Sequence, residues 1–152
     1  MFKTLTEELV LKAPASKAWS LYGTLELGKL LVGKAIEAFD VVEGDGGTGT
    51  ITKVTFKYGS DIKCLKEKFT KVDNENMVKE SEIVEGGFLD MGFNFFKTKI
   101  EIKENTNKDT SLLKVHLEYE VKEEFAANAS LVTKETYVNA AKIANEHFAK
   151  SK

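Results

Sequence analysis

The chain predicts an α+β domain in which a seven-stranded curved antiparallel sheet wraps around one long C-terminal helix, with two short helices after the first strand. Three observations predict it. Apolar and polar residues alternate with period two in several runs between Phe39 and Val121. Turn-forming clusters, Asp73-Asn74-Glu75-Asn76, Gly86-Gly87 and Asn105-Thr106-Asn107-Lys108-Asp109, cut those runs apart. The period then changes to a helical one from Ala126 to Lys150.

Leu5, Leu9 and Leu11 share one parity, interrupted by Glu7, and read as the first strand. Ala13-Pro14-Ala15-Ser16 breaks it, and Ser16 is a good cap for a short helix through Tyr22, ended by Gly23. Leu25 to Val32 reads as a second short helix, stopped by Gly33. Phe39, Val41 and Val42 lead into the run Glu43-Gly44-Asp45-Gly46-Gly47-Thr48-Gly49-Thr50. Beyond it, Val54, Phe56 and Tyr58 alternate with Lys53, Thr55 and Lys57, and Leu65, Glu67 and Phe69 with Lys66, Lys68 and Thr70. Met77 to Val84 and Phe93 to Ile102 are further extended stretches. The clearest strand is Leu113, Val115, Leu117, Tyr119 and Val121, with Lys114, His116, Glu118 and Glu120 on its wet side. In the last segment Tyr137, Ala141, Ala144 and Phe148 fall on one face, and no proline or glycine interrupts a helix of about 20 residues or more. A sheet with one apolar face and a helix with one apolar stripe bury each other, and a strongly curved sheet leaves room between them for a pocket.

The 152 residues suit one domain, 1–152, with one core. The net charge is −2, from 22 basic and 24 acidic residues with no basic stripe, which argues against nucleic acid and against an anionic membrane surface as partners. The single cysteine, Cys64, can form no internal disulfide, and two histidines do not complete a zinc site, so no metal is expected. Met1 to Glu8 carries two acids and no apolar leader, and no segment approaches the length of a membrane span. A cytosolic (cytoplasmic) protein is the expectation.

The glycine run invites a phosphate-gripping reading, since four glycines fall within six positions. Its context opposes that reading. A strand, Ile51-Thr52-Lys53-Val54, follows in place of a helix, there is no Gly-Lys-Ser/Thr ending, and Glu43 and Asp45 add negative charge where phosphate would sit. A stiff connector is the favoured reading.

Two charged residues stand on apolar faces. Glu67 shares parity with Leu65 and Phe69 while Lys66 and Lys68 face water, and a buried carboxylate must find a partner or hold its proton. On parity alone, a cavity acid and a solvated rim glutamate are equally good readings. Lys79 shares a face with Met77, Ser81 and Ile83, and by itself reads as a lysine laying its stem along apolar surface.

The loop Glu43 to Thr50, the run Lys66-Glu67-Lys68-Phe69, Val72-Asp73-Asn74, Glu85-Gly86-Gly87-Phe88-Leu89-Asp90-Met91-Gly92 and Ala126-Ala127-Asn128-Ala129-Ser130-Leu131-Val132 together resemble the birch-pollen-allergen (Bet v 1) family, or pathogenesis-related class 10. The resemblance spans the whole chain and leans to the norcoclaurine-synthase-like or major-latex-protein-like branch. It implies the helix-grip fold, with a large cavity between sheet and long helix. It also implies that Lys79 and Glu67 match the catalytic lysine and glutamate of the synthases. The synthases' tyrosine and aspartate positions hold Leu65 and Thr98, which makes the pocket more apolar and puts norcoclaurine synthesis itself in doubt. The lining implied for a ligand includes the hydroxyl-bearing Tyr22, Thr98, Tyr119 and Tyr137. Its apolar part is Leu30, Phe56, Leu65, Phe69, Phe88 and Phe96, with Ala141 on the long helix. The function so implied is binding of a small apolar plant metabolite, with cofactor-free acid/base cyclisation, condensation or isomerisation of a reactive carbonyl or enol, such as an iridoid-type terpenoid or an alkaloid precursor. A pathway enzyme supplying a reactive intermediate is a further expected partner. The competing reading is a non-catalytic carrier of hormones, flavonoids or lipids; a nuclease is disfavoured because there is no paired-histidine arrangement and no basic groove.

Overall fold

The alternating runs form seven strands: β1 (Phe2–Leu11), β2 (Ala38–Glu43), β3 (Ile51–Thr55), β4 (Cys64–Asp73), β5 (Val78–Gly86), β6 (Phe93–Glu104) and β7 (Ser111–Val121). Helices α1 (Ala15–Tyr22) and α2 (Glu26–Leu31) follow β1, and α3 (Glu135–Lys150) closes the chain. The computed structural model describes residues 1–151. The pairings between these strands are all antiparallel, in the order β1-β7-β6-β5-β4-β3-β2. The first strand therefore pairs with the last, β1 and β2 are the two edges, and α1 and α2 carry the chain from one edge to the other.

One end of the layer between sheet and helix is packed solid. Leu11, Ala18, Leu113, Leu117 and Ala144 are almost fully buried there, and Phe148 from the last turn of α3 joins them. Ala141 and Ala144 are small enough to let α3 lie close. The Trp19 indole nitrogen of α1 donates to the Asn74 side-chain oxygen at 2.9 Å and ties the helix to the β4–β5 turn. Among the described residues no helix is long and apolar enough to cross a membrane.

Three local expectations change. Helix α1 begins at Ala15 with Pro14 in the capping position, and Ser16 lies inside the helix. Proline suits a helix start because the missing N–H would have had no partner there, while its carbonyl accepts from Ala18 N at 2.9 Å. Strand β3 ends at Thr55, so Tyr58 sits in an exposed loop. The final helix starts at Glu135, and Glu123–Leu131 forms 3-10 turns instead. Asn128 draws on a partner outside the segment there, its amide donating to the Met91 carbonyl at 2.8 Å. Val132 is extended, at φ −81° and ψ 113°, which breaks any continuous helix.

The glycine run joins β2 to β3 and folds back onto β4. Gly49 N donates to the Phe69 carbonyl at 2.7 Å, Phe69 N to the Thr50 carbonyl at 2.8 Å, and Val72 N to the Thr48 hydroxyl at 2.9 Å. The Thr50 hydroxyl accepts from Gly46 N at 2.8 Å. The Gly46 and Gly49 amides are thus used within the protein, and the loop's effect is to hold the backbone at Phe69. Gly44, at φ +94°, is confined by Thr50, whose Cα would lie 2.8 Å from an added Cβ, whereas Gly49, also at φ +94°, faces open space. Gly49→Ala should cost about 1 kcal/mol from the left-handed backbone alone. Gly44→Ala adds a clash with main chain and should cost about 2–4 kcal/mol, read as urea midpoints of the two variants.

Candidate active site

The sheet's concave face is wider than the helices can cover, and a cavity of about 420 Å³ remains over β3, β4, β5 and β6. Strand parity sets its lining. Thr52 and Val54 point in from β3, Leu65, Glu67 and Phe69 from β4, and Lys79 and Ile83 from β5. Phe96 and Thr98 line it from β6, Tyr137 from the first turns of α3, and Tyr22 from the end of α1. The mouth lies between the loop before β4 and the segment before α3, where the lining residues Ser60, Asp61, Leu131 and Thr136 are exposed.

Lys79 reaches from β5 to the C-terminal end of α1. Its ammonium lies 3.3 Å from the Tyr22 carbonyl oxygen and 3.5 Å from that of Thr24, and donates to both. The Phe69 ring lies beneath it, 3.8 Å from the nitrogen to the ring centre. Helix-end carbonyls and an aromatic face both favour a cation. Burial works against the cation and prevails, drawing Lys79 down from 10.5 to about 8, while the Glu67 carboxylate pulls it back up. That displacement corresponds to about 3 kcal/mol of protonation preference.

Glu67 lies deep in the protein with part of its surface on the cavity. Burial raises its carboxyl above the ordinary value, and Lys79 and the Ser81 hydroxyl act in the opposite direction. Tyr137 is pushed up to about 12, chiefly by burial and further by Glu67, with Thr98 opposing. Tyr22 is raised by burial alone, and its hydroxyl has no hydrogen-bond partner among the described residues. The arrangement combines a carboxyl that tends to keep its proton with an ammonium that tends to lose one, in an apolar chamber. Such a pair is suited to exchanging protons with a bound molecule.

Ten of the residues expected at the site line this cavity: Lys79 and Glu67, the hydroxyl-bearing Tyr22, Thr98 and Tyr137, and the apolar Phe56, Leu65, Phe69, Phe88 and Phe96. Three do not. Leu30 points to an outer groove with Leu21 and Phe148, because Leu27 and Leu31, four residues apart, form the inner face of α2. Tyr119 lies behind the lining, stacked on Phe96 with centroids 5.6 Å apart. Ala141, one turn beyond Tyr137, packs into the solid core. Thr52, Val54, Ile83 and Leu27 were missed as lining residues. Thr52 and Val54 share parity with Phe56, and Ile83 with Lys79, so an inward strand face already marked them. Among the described residues no cluster of three or more His, Cys, Asp or Glu could hold a metal.

Known proteins resemble the chain in both sequence and fold. The Pathogenesis-related protein Bet v 1 family matches residues 1–151. The chain belongs to the Bet v 1 family. It is 40% identical to norbelladine synthase from Narcissus pseudonarcissus, across 98% of this chain and 93% of that protein. It is 33% identical to S-norcoclaurine synthase 1 from Papaver somniferum, across 99% of this chain and 67% of that protein. Norcoclaurine synthase from Thalictrum flavum, solved with dopamine and hydroxybenzaldehyde, matches with a TM-score of 0.86 at 34% identity, covering 100% of this chain and 89% of that one. Major latex-like protein 151 from Panax ginseng shares the fold, with a TM-score of 0.78 at 18% identity over 97% of each chain. This member of the Bet v 1 family thus has named synthases among its relatives.

The proton affinities in the cavity can be read directly. Lys79 should titrate near pH 8 in a carbon-13-labelled protein, and Glu67→Gln should move that midpoint lower by removing the anion that supports the cation. A Lys79 midpoint at the ordinary lysine value would contradict the burial argument. The sign for stability follows. Between about pH 8 and 10.5 the unfolded chain holds a proton on Lys79 that the folded one has released, so this residue makes stability rise with pH across that window.

Proposed function

We propose that the chain is an enzyme of plant specialised metabolism that promotes cofactor-free condensation of an amine with a reactive carbonyl compound, with ring closure where the substrate permits it. The observation that carries this reading is the Lys79–Glu67 pair on the wall of an apolar cavity. The named synthases among its relatives, and the amine and aldehyde bound in one of them, support the reaction class.

The proton steps balance within the pair. The Glu67 carboxylate takes a proton from the incoming ammonium, freeing its nitrogen lone pair. The amine adds to the carbonyl carbon while Lys79 gives its proton to the developing alkoxide and recovers one from the new C–N nitrogen. The neutral Glu67 carboxyl then protonates the carbinolamine hydroxyl, which leaves as water. An iminium remains opposite the Glu67 carboxylate. Exclusion of bulk water from the apolar chamber strengthens each charge interaction and holds the two reactants together. Leu65 and Thr98 make the chamber less polar than one lined by a phenol and a carboxylate, which suits a carbonyl partner with few polar groups.

Lys79→Ala and Glu67→Gln should each lower turnover by about 100-fold or more while leaving ligand affinity within a few-fold. The alkaline limb of the rate profile should lie near pH 8, where Lys79 loses its proton. The assay uses panels of arylalkyl amines and aldehydes, with products separated by chiral chromatography against a protein-free blank. Tight binding without turnover of any pair would favour the carrier reading. That alternative draws on the same apolar chamber and needs neither charge.

A further inference from the structure

The hydroxyl of Thr52 is a buried polar group in the cavity wall that the proposed reaction leaves unused. Thr52 is 1% exposed, and its hydroxyl has no hydrogen-bond partner among the described residues. A buried hydroxyl without a partner is costly, so its retention needs a reason. The register supplies one. Thr52 on β3 stands directly across from Glu67 on β4, and both side chains point into the cavity. Side chains directly opposite on one face of an antiparallel pair have Cβ atoms about 5 Å apart, within reach of a hydroxyl–carboxylate bond after a small rotation.

We propose that Thr52 is a positioning residue, whose hydroxyl turns to donate a hydrogen bond to the Glu67 carboxylate whenever that acid has given up its proton. In the structure the hydroxyl stands without a partner; with the acid ionised it becomes the partner that a buried anion requires. Ser81, on β5 one pair further along, stands on the other side of Glu67. The carboxyl is therefore bracketed by hydroxyls from the two neighbouring strands, which hold it in one orientation toward the bound molecule. The ionisable groups that share the cavity with Glu67 are Lys79 from β5, Tyr137 from α3, Tyr22 from α1 and Asp61 from the loop before β4. Of these, Lys79 is the cation that also supports the anion, so its contribution must be held constant in any test.

This inference rests on the acid/base role proposed for Glu67, but its test reads the carboxyl itself. The Glu67 carboxyl carbon is followed by NMR titration in carbon-13-labelled protein, assigned through Glu67→Gln, in the wild type, Thr52→Val and Thr52→Ser. Valine keeps the shape and removes the donor, so the Glu67 midpoint should rise by about half to one pH unit, and serine should restore it. The Lys79 midpoint, read in the same samples, shows whether the cation has stayed in place. With an accepted substrate pair, Thr52→Val should lower kcat about 3- to 10-fold with KM unchanged. An unmoved Glu67 midpoint in Thr52→Val overturns the proposal. If KM rises while the midpoint stays put, the hydroxyl serves the ligand instead, and the proposal is equally overturned. Should Thr52→Val fail to fold, Thr52→Ala carries the same expectation. A protein in which Lys79→Ala left turnover intact would lose its proposed reaction, yet the carboxyl titration would still decide the role of Thr52.

Discussion

The structure depends on a mismatch of areas. Seven strands present more inward-facing surface than one 16-residue helix can cover. At about 1.5 Å per residue α3 is roughly 24 Å long, and its small residues Ala141 and Ala144 bring it down on one end of the sheet only. There the side chains of β1, β6, β7 and α1 close the core around Phe148. Over β3, β4 and β5 nothing of comparable size fills the space, and the inward face of those strands becomes the wall of a chamber. The same pleat that sends Leu113 into the core sends Glu67 and Lys79 into that chamber. Residues that would be expensive in a packed interior are tolerable there because part of their surface faces open space.

That chamber governs the chemistry of its two charges. Lys79 is held by interactions that favour a cation, namely two carbonyls at the end of α1 and the face of Phe69, yet burial still lowers its proton affinity. Glu67 is driven the other way by the same cause. One low-dielectric environment thus draws an acid and a base toward each other in proton affinity, the condition under which protons pass readily in both directions. The glycine loop contributes at a distance. By bonding to the backbone of Phe69 on both sides, it fixes the ring on which the ammonium rests. Its glycines provide tight turns rather than a grip on phosphate.

Much of this was legible in the residues. The element order, the antiparallel sheet and the inward parity of Leu65, Glu67 and Phe69 followed from alternation, because a strand's period of two leaves little freedom once one face is apolar. The lining was less legible on the helices. Leu30 belongs to the lining that the resemblance implies, yet the turn of α2 selects Leu27 and Leu31, and a six-residue helix carries too few positions for its face to be read from sequence. Ala141 and Tyr119 face inward, as the periodicity predicts, but whether an inward residue meets core or cavity depends on what lies opposite. The start of α3 was misjudged because Ala126 to Leu131 has helical composition, while Asn128 is committed to a carbonyl 37 residues away in sequence.

The sequence by itself determined which residues face inward, since that depends on local periodicity and on the cost of burying polar groups. It also carried the family, through motifs spread along the chain. Only the tertiary structure decided where inward residues meet empty space, which helix end receives the Lys79 ammonium, and that Thr52 stands across from Glu67 without a partner. Those outcomes depend on contacts between elements distant in the chain: α1 with β5, β3 with β4, α3 with one end of the sheet alone. No local pattern encodes them, because each is fixed by how the sheet curves and by how little of it the final helix covers.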